Sequence, residues 1–178
     1  GMFVIERRDP LSYRRETRHS TIRLIILFAV LGMAFSTGLV MVFGESGGSN
    51  FRWNLLGVVL ALLLTVMLVR HLFWQQPWMR SAAYGWQLKR CMLRITNCQH
   101  QLKAGVAQQL PAAMQLQRFY HLGLTEMYRL DGNQEALDAL AAEKLAHEQQ
   151  MQDMGLEVDL YQLDPAWLAE VQQIKATR

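Results

Sequence analysis

The stretch "ERRDPLSYRRETRHSTIRLIILFAVLGMAFSTGLVMVF", residues 6–43, places six arginines and one histidine before twenty uncharged residues. The uncharged part, Leu24–Phe43, would span about 30 Å as an α-helix that rises about 1.5 Å per residue. That length matches the hydrocarbon core of a bilayer. The sequence therefore predicts a membrane-spanning helix at 24–43, preceded by a basic cytoplasmic segment at 1–23.

A second uncharged run, Trp53–Val69, has seventeen residues. That is near the lower limit for a membrane span, but Arg70 and His71 can extend toward the headgroups, so the span is predicted to continue to residue 74. The joint at 44–52 is rich in glycine and serine and carries one glutamate and one arginine. The sequence therefore predicts a transmembrane helical hairpin at 24–74. The alternative is that either uncharged run forms a buried helix of a soluble protein.

Basic residues are dense on both sides of the hairpin and almost absent from its joint. The segment before the first span holds the six arginines, and the flank after the second holds Arg70, Arg80, Lys89, Arg90 and Arg94. Positive charge near a span is retained on the cytoplasmic side. The prediction is a multi-pass membrane protein with both termini in the cytoplasm.

Composition supports a membrane location and disfavours nucleic acid as a partner. Hydrophobic residues make up 51% of the chain and charged residues 19%. Residues 1–132 carry 15 Lys+Arg and 6 Asp+Glu, whereas residues 133–178 carry 3 and 9. A basic front half joined to apolar runs suits the anionic cytoplasmic leaflet, and its basic patches are not interleaved with stacking aromatic side chains. Membrane lipids are the expected partners.

After Pro77 the pattern becomes amphipathic, which predicts a cytoplasmic helical domain at 78–178 and an all-α fold. The first helix of this domain carries an apolar seam from Tyr84 to Leu102 and is expected to end at Gly105. The second begins near Pro111 and ends at "LDGN", residues 130–133. The third runs from about Gln134 to Met154 and stops at Gly155, and Asp164 with Pro165 opens the last.

Two expectations concern charge in this domain. The basic side chains of its first helix lie off the apolar seam and are predicted to face lipid headgroups; they are Arg80, Lys89, Arg90, Arg94 and Lys103. The acidic segment at 133–178 is predicted to fold back over this basic helix and to compete with anionic lipid for it.

Residues 117–133 form the richest polar stretch, and they suggest a candidate site without a recognised catalytic spacing. The candidates are Arg118, His121, Glu126, Asp131 and Asn133. The sequence assigns no catalytic, cofactor-binding or metal-binding residue, and no cofactor.

Two further pairs have a helical spacing that bears on chemistry. Glu143 and His147 are four apart, so they share a helix face, but a third metal ligand is not evident. Cys91 and Cys98 are seven apart and are expected to be buried thiols on one helix, too far apart to form a disulfide with each other.

Four stretches resemble successive blocks of a proteobacterial family of small inner-membrane proteins whose domain has no known function. They are "SYRRETRHSTIRLIILF", "NFRWNLLGVVLALLL", "QPWMRSAAYGWQLKR" and "FYHLGLTEMYRLDGN". The resemblance extends beyond these blocks and covers most of the chain. Gly132 stands where a further acidic residue is expected. The resemblance implies two membrane spans with a helical cytoplasmic domain, and it implies no activity.

The functional hypothesis is an inner-membrane hairpin that displays a helical interaction or adaptor module. Such a module would form a homo-oligomer or bind a protein partner. One alternative is a membrane-anchored enzyme with a polar site at 117–133, and the sequence favours this less. The other is a soluble or pore-forming helical protein with a releasable hairpin.

Overall fold

The computed structural model describes residues 3–45 and 48–175. This part of the chain contains seven α-helices, no β-strand and one isolated antiparallel bridge between Val4 and Gln162. Contacts divide the chain into two compact units. Residues 15–83 form the hairpin unit, and residues 1–14 with 84–178 form the helical domain. The predicted all-α fold, with two apolar helices followed by further helices, is confirmed.

The two apolar helices include the predicted uncharged runs, and the first already begins at Pro10, inside the segment predicted at 1–23. Helix α1 is Pro10–Phe43 and helix α2 is Phe51–Leu68, and a π-helical turn at Val69–Phe73 extends α2. Proline is favoured in a first turn because the N–H that it lacks would be unpaired there. Both helices are long and apolar enough to cross a membrane. Ser46 and Gly47 of the predicted joint lie outside the described residues.

Small residues let α1 and α2 approach closely. A Cβ added to Gly57 of α2 would lie 2.5 Å from the backbone nitrogen of Ser36, so only glycine fits at this crossing. Four residues further along α2, Ala61 is fully buried and lies opposite Gly32. Ser36 Oγ also donates a hydrogen bond of 3.1 Å to the carbonyl of Asn54. Gly32 and Ser36, four apart, therefore line the seam of the hairpin.

Aromatic rings and arginines mark both ends of the apolar helices. At the joint, the rings of Phe43 and Trp53 stack at 5.1 Å, and Arg52 lies 5.2 Å over the Trp53 ring. At the other end, Arg23 lies 5.2 Å over the ring of Trp78. Amphipathic aromatic side chains and arginines are enriched where a helix meets the membrane interface.

Five helices follow the hairpin. They are α3 at Arg80–Thr96, α4 at Gln99–Ala107, α5 at Pro111–Asp131, α6 at Gln134–Asp153 and α7 at Pro165–Gln172. Helix α5 packs against α4, α6 and α7. The seam residues Leu88, Ile95, Leu102, Leu116 and Leu130 are all almost fully buried. Each buried leucine contributes about 1.5–3 kcal/mol relative to an exposed one.

One helix boundary differs from the sequence prediction. The expected continuous helix from Tyr84 to Gly105 is two helices, and Gly105 lies inside the second. At the break, the backbone N–H of Cys98 donates to the carbonyl of Ile95 at 3.1 Å, a three-residue turn in place of a four-residue one. Despite the break, both Cys98 and Leu102 lie in the hydrophobic core.

Local backbone preference and capping side chains set the turn between α5 and α6 and the start of α7. Gly132 ends α5 with φ of 68°, a left-handed conformation that favours glycine. Asn133 then begins α6, and its side chain accepts a hydrogen bond from the backbone of Ala136 at 3.1 Å. Asp164 caps α7 by accepting from the backbone of Ala166 at 2.9 Å.

The first described residues, from Phe3 onward, pack into the helical domain. The backbone N–H of Ile5 donates to the carbonyl of Tyr161 at 2.7 Å, and that of Leu163 donates to the carbonyl of Phe3 at 2.9 Å. The Tyr84 hydroxyl accepts from the backbone N–H of Glu6 at 2.8 Å. The division of contacts therefore falls inside the segment predicted at 1–23.

Candidate functional site

The five polar residues predicted at 117–133 do not converge on one site. Arg118 and His121 contact α6, Glu126 pairs with a neighbouring arginine, Asp131 pairs with a lysine of α3, and Asn133 caps α6. An α-helix completes a turn every 3.6 residues, so side chains at these spacings on α5 point in different directions. These residues have partners on several different elements. Their contacts do not bring His121, Glu126 and Asp131 into one pocket.

Two histidines lie buried where α5 meets α6. His121 and His147 are 1% and 6% exposed. Their rings meet edge to face with centroids 5.4 Å apart. Gln117 Nε2 donates to His121 Nε2 at 2.9 Å, and His147 Nε2 donates to the carbonyl of Met114 at 2.9 Å. Each histidine is thus held in one orientation by a polar neighbour on α5.

Arg118 lies beside this histidine pair and is also buried. Its Nε donates to the carbonyl of Val158 at 2.8 Å, and its Nη2 lies 3.7 Å from a carboxylate oxygen of Glu148 on α6. Within the described residues, Arg118 Nη1 and His121 Nδ1 are buried and have no hydrogen-bond partner. A buried polar group without a partner carries a desolvation cost, so these two atoms lower the stability of the folded domain.

Burial keeps both histidines neutral at neutral pH. The pKa of His121 is lowered to about 4, chiefly by burial and also by the neighbouring His147, Arg118 and Lys144. Burial also lowers the pKa of His147, although its hydrogen bond to the Met114 carbonyl opposes that shift. A buried imidazolium would lack solvation, which is the physical cause of both shifts.

The Glu143 and His147 pair does not gain the third metal ligand that it lacked in the sequence. His121 approaches it, with Nε2 at 3.7 Å from Glu143 Oε1. His147 Nε2, however, is occupied by the Met114 carbonyl. Across residues 3–45 and 48–175, no three histidine, cysteine or acidic side chains are grouped so as to hold a metal ion.

Glu126 lines a cleft on the surface of the helical domain. The cleft has a volume of about 440 Å³ and lies between the N-terminal segment, α5, α6 and the connector before α7. Glu126 Oε1 lies 2.6 Å from Arg129 Nη2 and also accepts from the backbone N–H of Arg8 at 3.2 Å. The carboxylate is therefore paired and ties the N-terminal segment to α5.

Both cysteines are buried thiols, as predicted, but they do not lie on one helix. Cys91 is on α3 and is 5% exposed, while Cys98 directly precedes α4 and is 4% exposed. Burial raises the pKa of both thiols, which keeps them protonated. Both are free cysteines within the same hydrophobic core.

The basic side chains predicted to face lipid are all exposed; they are Arg80, Lys89, Arg90, Arg94 and Lys103. Lys89 Nζ lies 3.7 Å from a carboxylate oxygen of Asp131 on α5. No salt bridge within the described part of the chain joins α6 or α7 to this basic helix, so the expected fold-back of the acidic segment has no ion pair to support it. Two apolar side chains, Trp86 and Leu93, are also more than half exposed on α3.

Several residues of these sites were missed in the sequence because they come from distant segments. Arg7 and Tyr161 reach the cleft from opposite ends of the domain's sequence, and Lys144 comes from α6. Gln117 and Glu148 partner the buried polar groups. One signal was available: Glu143, Lys144, His147 and Glu148 follow a helical spacing that turns a polar strip toward α5.

The fold defines a class of helical proteins in which two apolar helices, each able to span a membrane, precede a helical domain with a buried polar junction. The chain belongs to the family described as "Protein of unknown function (DUF3087)", which matches residues 3–168. No curated protein and no solved structure matches the chain.

Proposed function

We propose that this protein is a two-span protein of the bacterial inner membrane whose helical domain acts as a cytoplasmic interaction module. The observation that carries the membrane part is the exposure of the apolar helices. In the most apolar window of α1 no residue is buried, and in that of α2 only 17% are. Met33, Met41 and Leu63 are each more than 60% exposed. A core helix of a soluble protein buries such a surface.

Both termini are assigned to the cytoplasm because basic residues flank the hairpin on both sides. The joint carries one arginine and one glutamate, whereas the six arginines before Leu24 and the five basic residues between 70 and 94 flank the spans. This places the helical domain beside the anionic leaflet, where each basic side chain near the surface contributes about 1 kcal/mol of attraction.

The interaction face that fits this setting is the outer face of α3, defined here by Trp86, Arg90, Leu93 and Arg94. Successive members are four, three and one residues apart, so they lie on one side of the helix. Arg90 lies 5.1 Å over the Trp86 ring, and Leu93 is 58% exposed. A tryptophan, a leucine and two arginines match the composition of surfaces that insert at the headgroup boundary of anionic membranes. We assign this face to anionic lipid.

The test measures whether anionic lipid covers the outer face of α3. The full-length protein carrying Leu93→Cys is reconstituted into vesicles of phosphatidylcholine alone or with phosphatidylglycerol, and labelling by a water-soluble maleimide is timed. The buried native thiols add little background. The matched control is Leu145→Cys on α6, because the native Leu145 is 56% exposed.

Labelling of Leu93→Cys should slow several-fold in anionic vesicles, relative to the control position, and 0.5 M salt should reverse the effect because salt screens exposed charges. Adding Arg90→Gln and Arg94→Gln should also restore labelling. Equal labelling in the two vesicle types would overturn the assignment. Protection in native membranes but not in vesicles that contain this protein alone would also overturn it, and would assign the face to a protein partner.

A further inference from the structure

The cleft beside Glu126 is lined by two basic side chains that remain after each of its acidic side chains has been paired with an arginine. Its two acidic side chains both have partners: Glu126 with Arg129 at 2.6 Å, and Glu6 with Arg8 at 3.0 Å. Arg7 and Lys144 also line the cleft. Neither forms a salt bridge or a side-chain hydrogen bond with another described residue.

Lys144 is held in an unusual setting for a lysine. Burial lowers the pKa of its amine, and the positive charge of nearby Arg118 lowers it further, while Glu148 opposes the shift. Glu148, also on α6, already lies 3.7 Å from Arg118 Nη2. An anion entering the cleft would supply the partner that the protein does not provide.

The remaining walls of the cleft are apolar or carry hydroxyls. Ile5 and Leu122 are 7% and 6% exposed and form apolar lining, and Thr125 and Tyr161 add polar atoms. Its volume of about 440 Å³ lies within the range of about 300–1,000 Å³ that is typical of small-molecule sites. Apolar walls with a few placed cations are suited to a molecule that has an anionic group on an apolar body.

We propose that this cleft binds a small organic anion, a phosphate or carboxylate carried on an apolar group, through Lys144 and Arg7. The same chemistry occurs in a soluble phosphorylated or carboxylated compound and in the headgroup region of an anionic phospholipid. The proposal does not depend on the lipid assignment of α3, because all of its residues lie elsewhere in the helical domain.

The test follows acetylation of individual lysines by an N-hydroxysuccinimide ester in the full-length protein in neutral detergent, with peptides quantified by mass spectrometry. The probes are inorganic phosphate, phenyl phosphate and dihexanoyl phosphatidylglycerol, at matched ionic strength. Lys103, which is exposed on α4, is the internal control.

Phenyl phosphate or the short lipid should slow acetylation of Lys144 about tenfold at saturation and leave Lys103 unchanged, and inorganic phosphate should protect less. Protection by phenyl phosphate identifies a soluble ligand class, and protection by the lipid alone identifies the headgroup. Arg7→Gln changes an exposed residue and keeps Lys144. It should raise the probe concentration needed for half-maximal protection about tenfold. No protection by any probe, equal protection by inorganic phosphate, or equal protection of Lys103 would overturn the proposal.

Discussion

Acidification should destabilise the helical domain through His121. Its pKa is lowered from 6.5 to about 4 in the folded protein, chiefly by burial. The unfolded chain therefore binds a proton in a pH range where the folded protein does not, so the contribution to stability is complete above pH 6.5 and is lost as pH falls toward 4. At about 1.4 kcal/mol per pH unit, the loss over this range is about 3 kcal/mol.

The charges around His121 favour this sign. Arg118 on its own helix and His147 and Lys144 on α6 all oppose a second positive charge. Glu143 lies 3.7 Å from Nε2 and would favour protonation, but its side chain is 68% exposed and water screens it. The pKa of His147 is lowered as well, so it adds to the acid sensitivity in the same direction.

The assay uses Cys91 and Cys98 as reporters of opening, since both are buried in the core of the domain. Their reaction with a dithiodipyridine reagent, which works at acid pH, is followed in urea for the full-length protein in detergent between pH 7 and pH 4. The urea midpoint should fall steeply below pH 6.5. His121→Gln should remove a large part of this dependence, and His100→Gln, an exposed position, should not. The same slope in wild type and His121→Gln would refute the reasoning.

Three further predictions concern the hairpin and the core. A reporter fused to the C-terminus should remain cytoplasmic, because basic residues flank both spans, and an exported reporter would contradict the topology. Gly57→Val should destabilise the full-length protein in thermal melts by about 1–3 kcal/mol, because an added Cβ would lie 2.5 Å from the Ser36 nitrogen. Gly38→Val, where nothing lies within 4 Å, is the control, and equal melting would count against the seam. Replacing Cys91 and Cys98 by alanine should cost about 1–3 kcal/mol in urea unfolding, and rapid labelling of the native thiols would argue against it.

The sequence by itself determined most of the helices of this protein and their apolar faces. Leu24–Phe43 has no charge over a bilayer's length, and that property needs no tertiary contact to be recognised. Gly132 and Asn133 define the turn between α5 and α6 by local backbone preference and capping. The four-and-three spacing from Leu88 to Leu102 identified the buried side chains even though the helix breaks at Cys98.

The tertiary structure decided which polar groups meet. His121 and His147 are 26 residues apart on two helices, and only the packing of α5 against α6 brings their rings to 5.4 Å. The cleft combines Arg7 with Lys144 because Phe3 and Ile5 pair with the connector before α7. Helical periodicity specifies which face of a helix is buried, but the partner face depends on packing between distant segments, and that is a property of the folded chain alone.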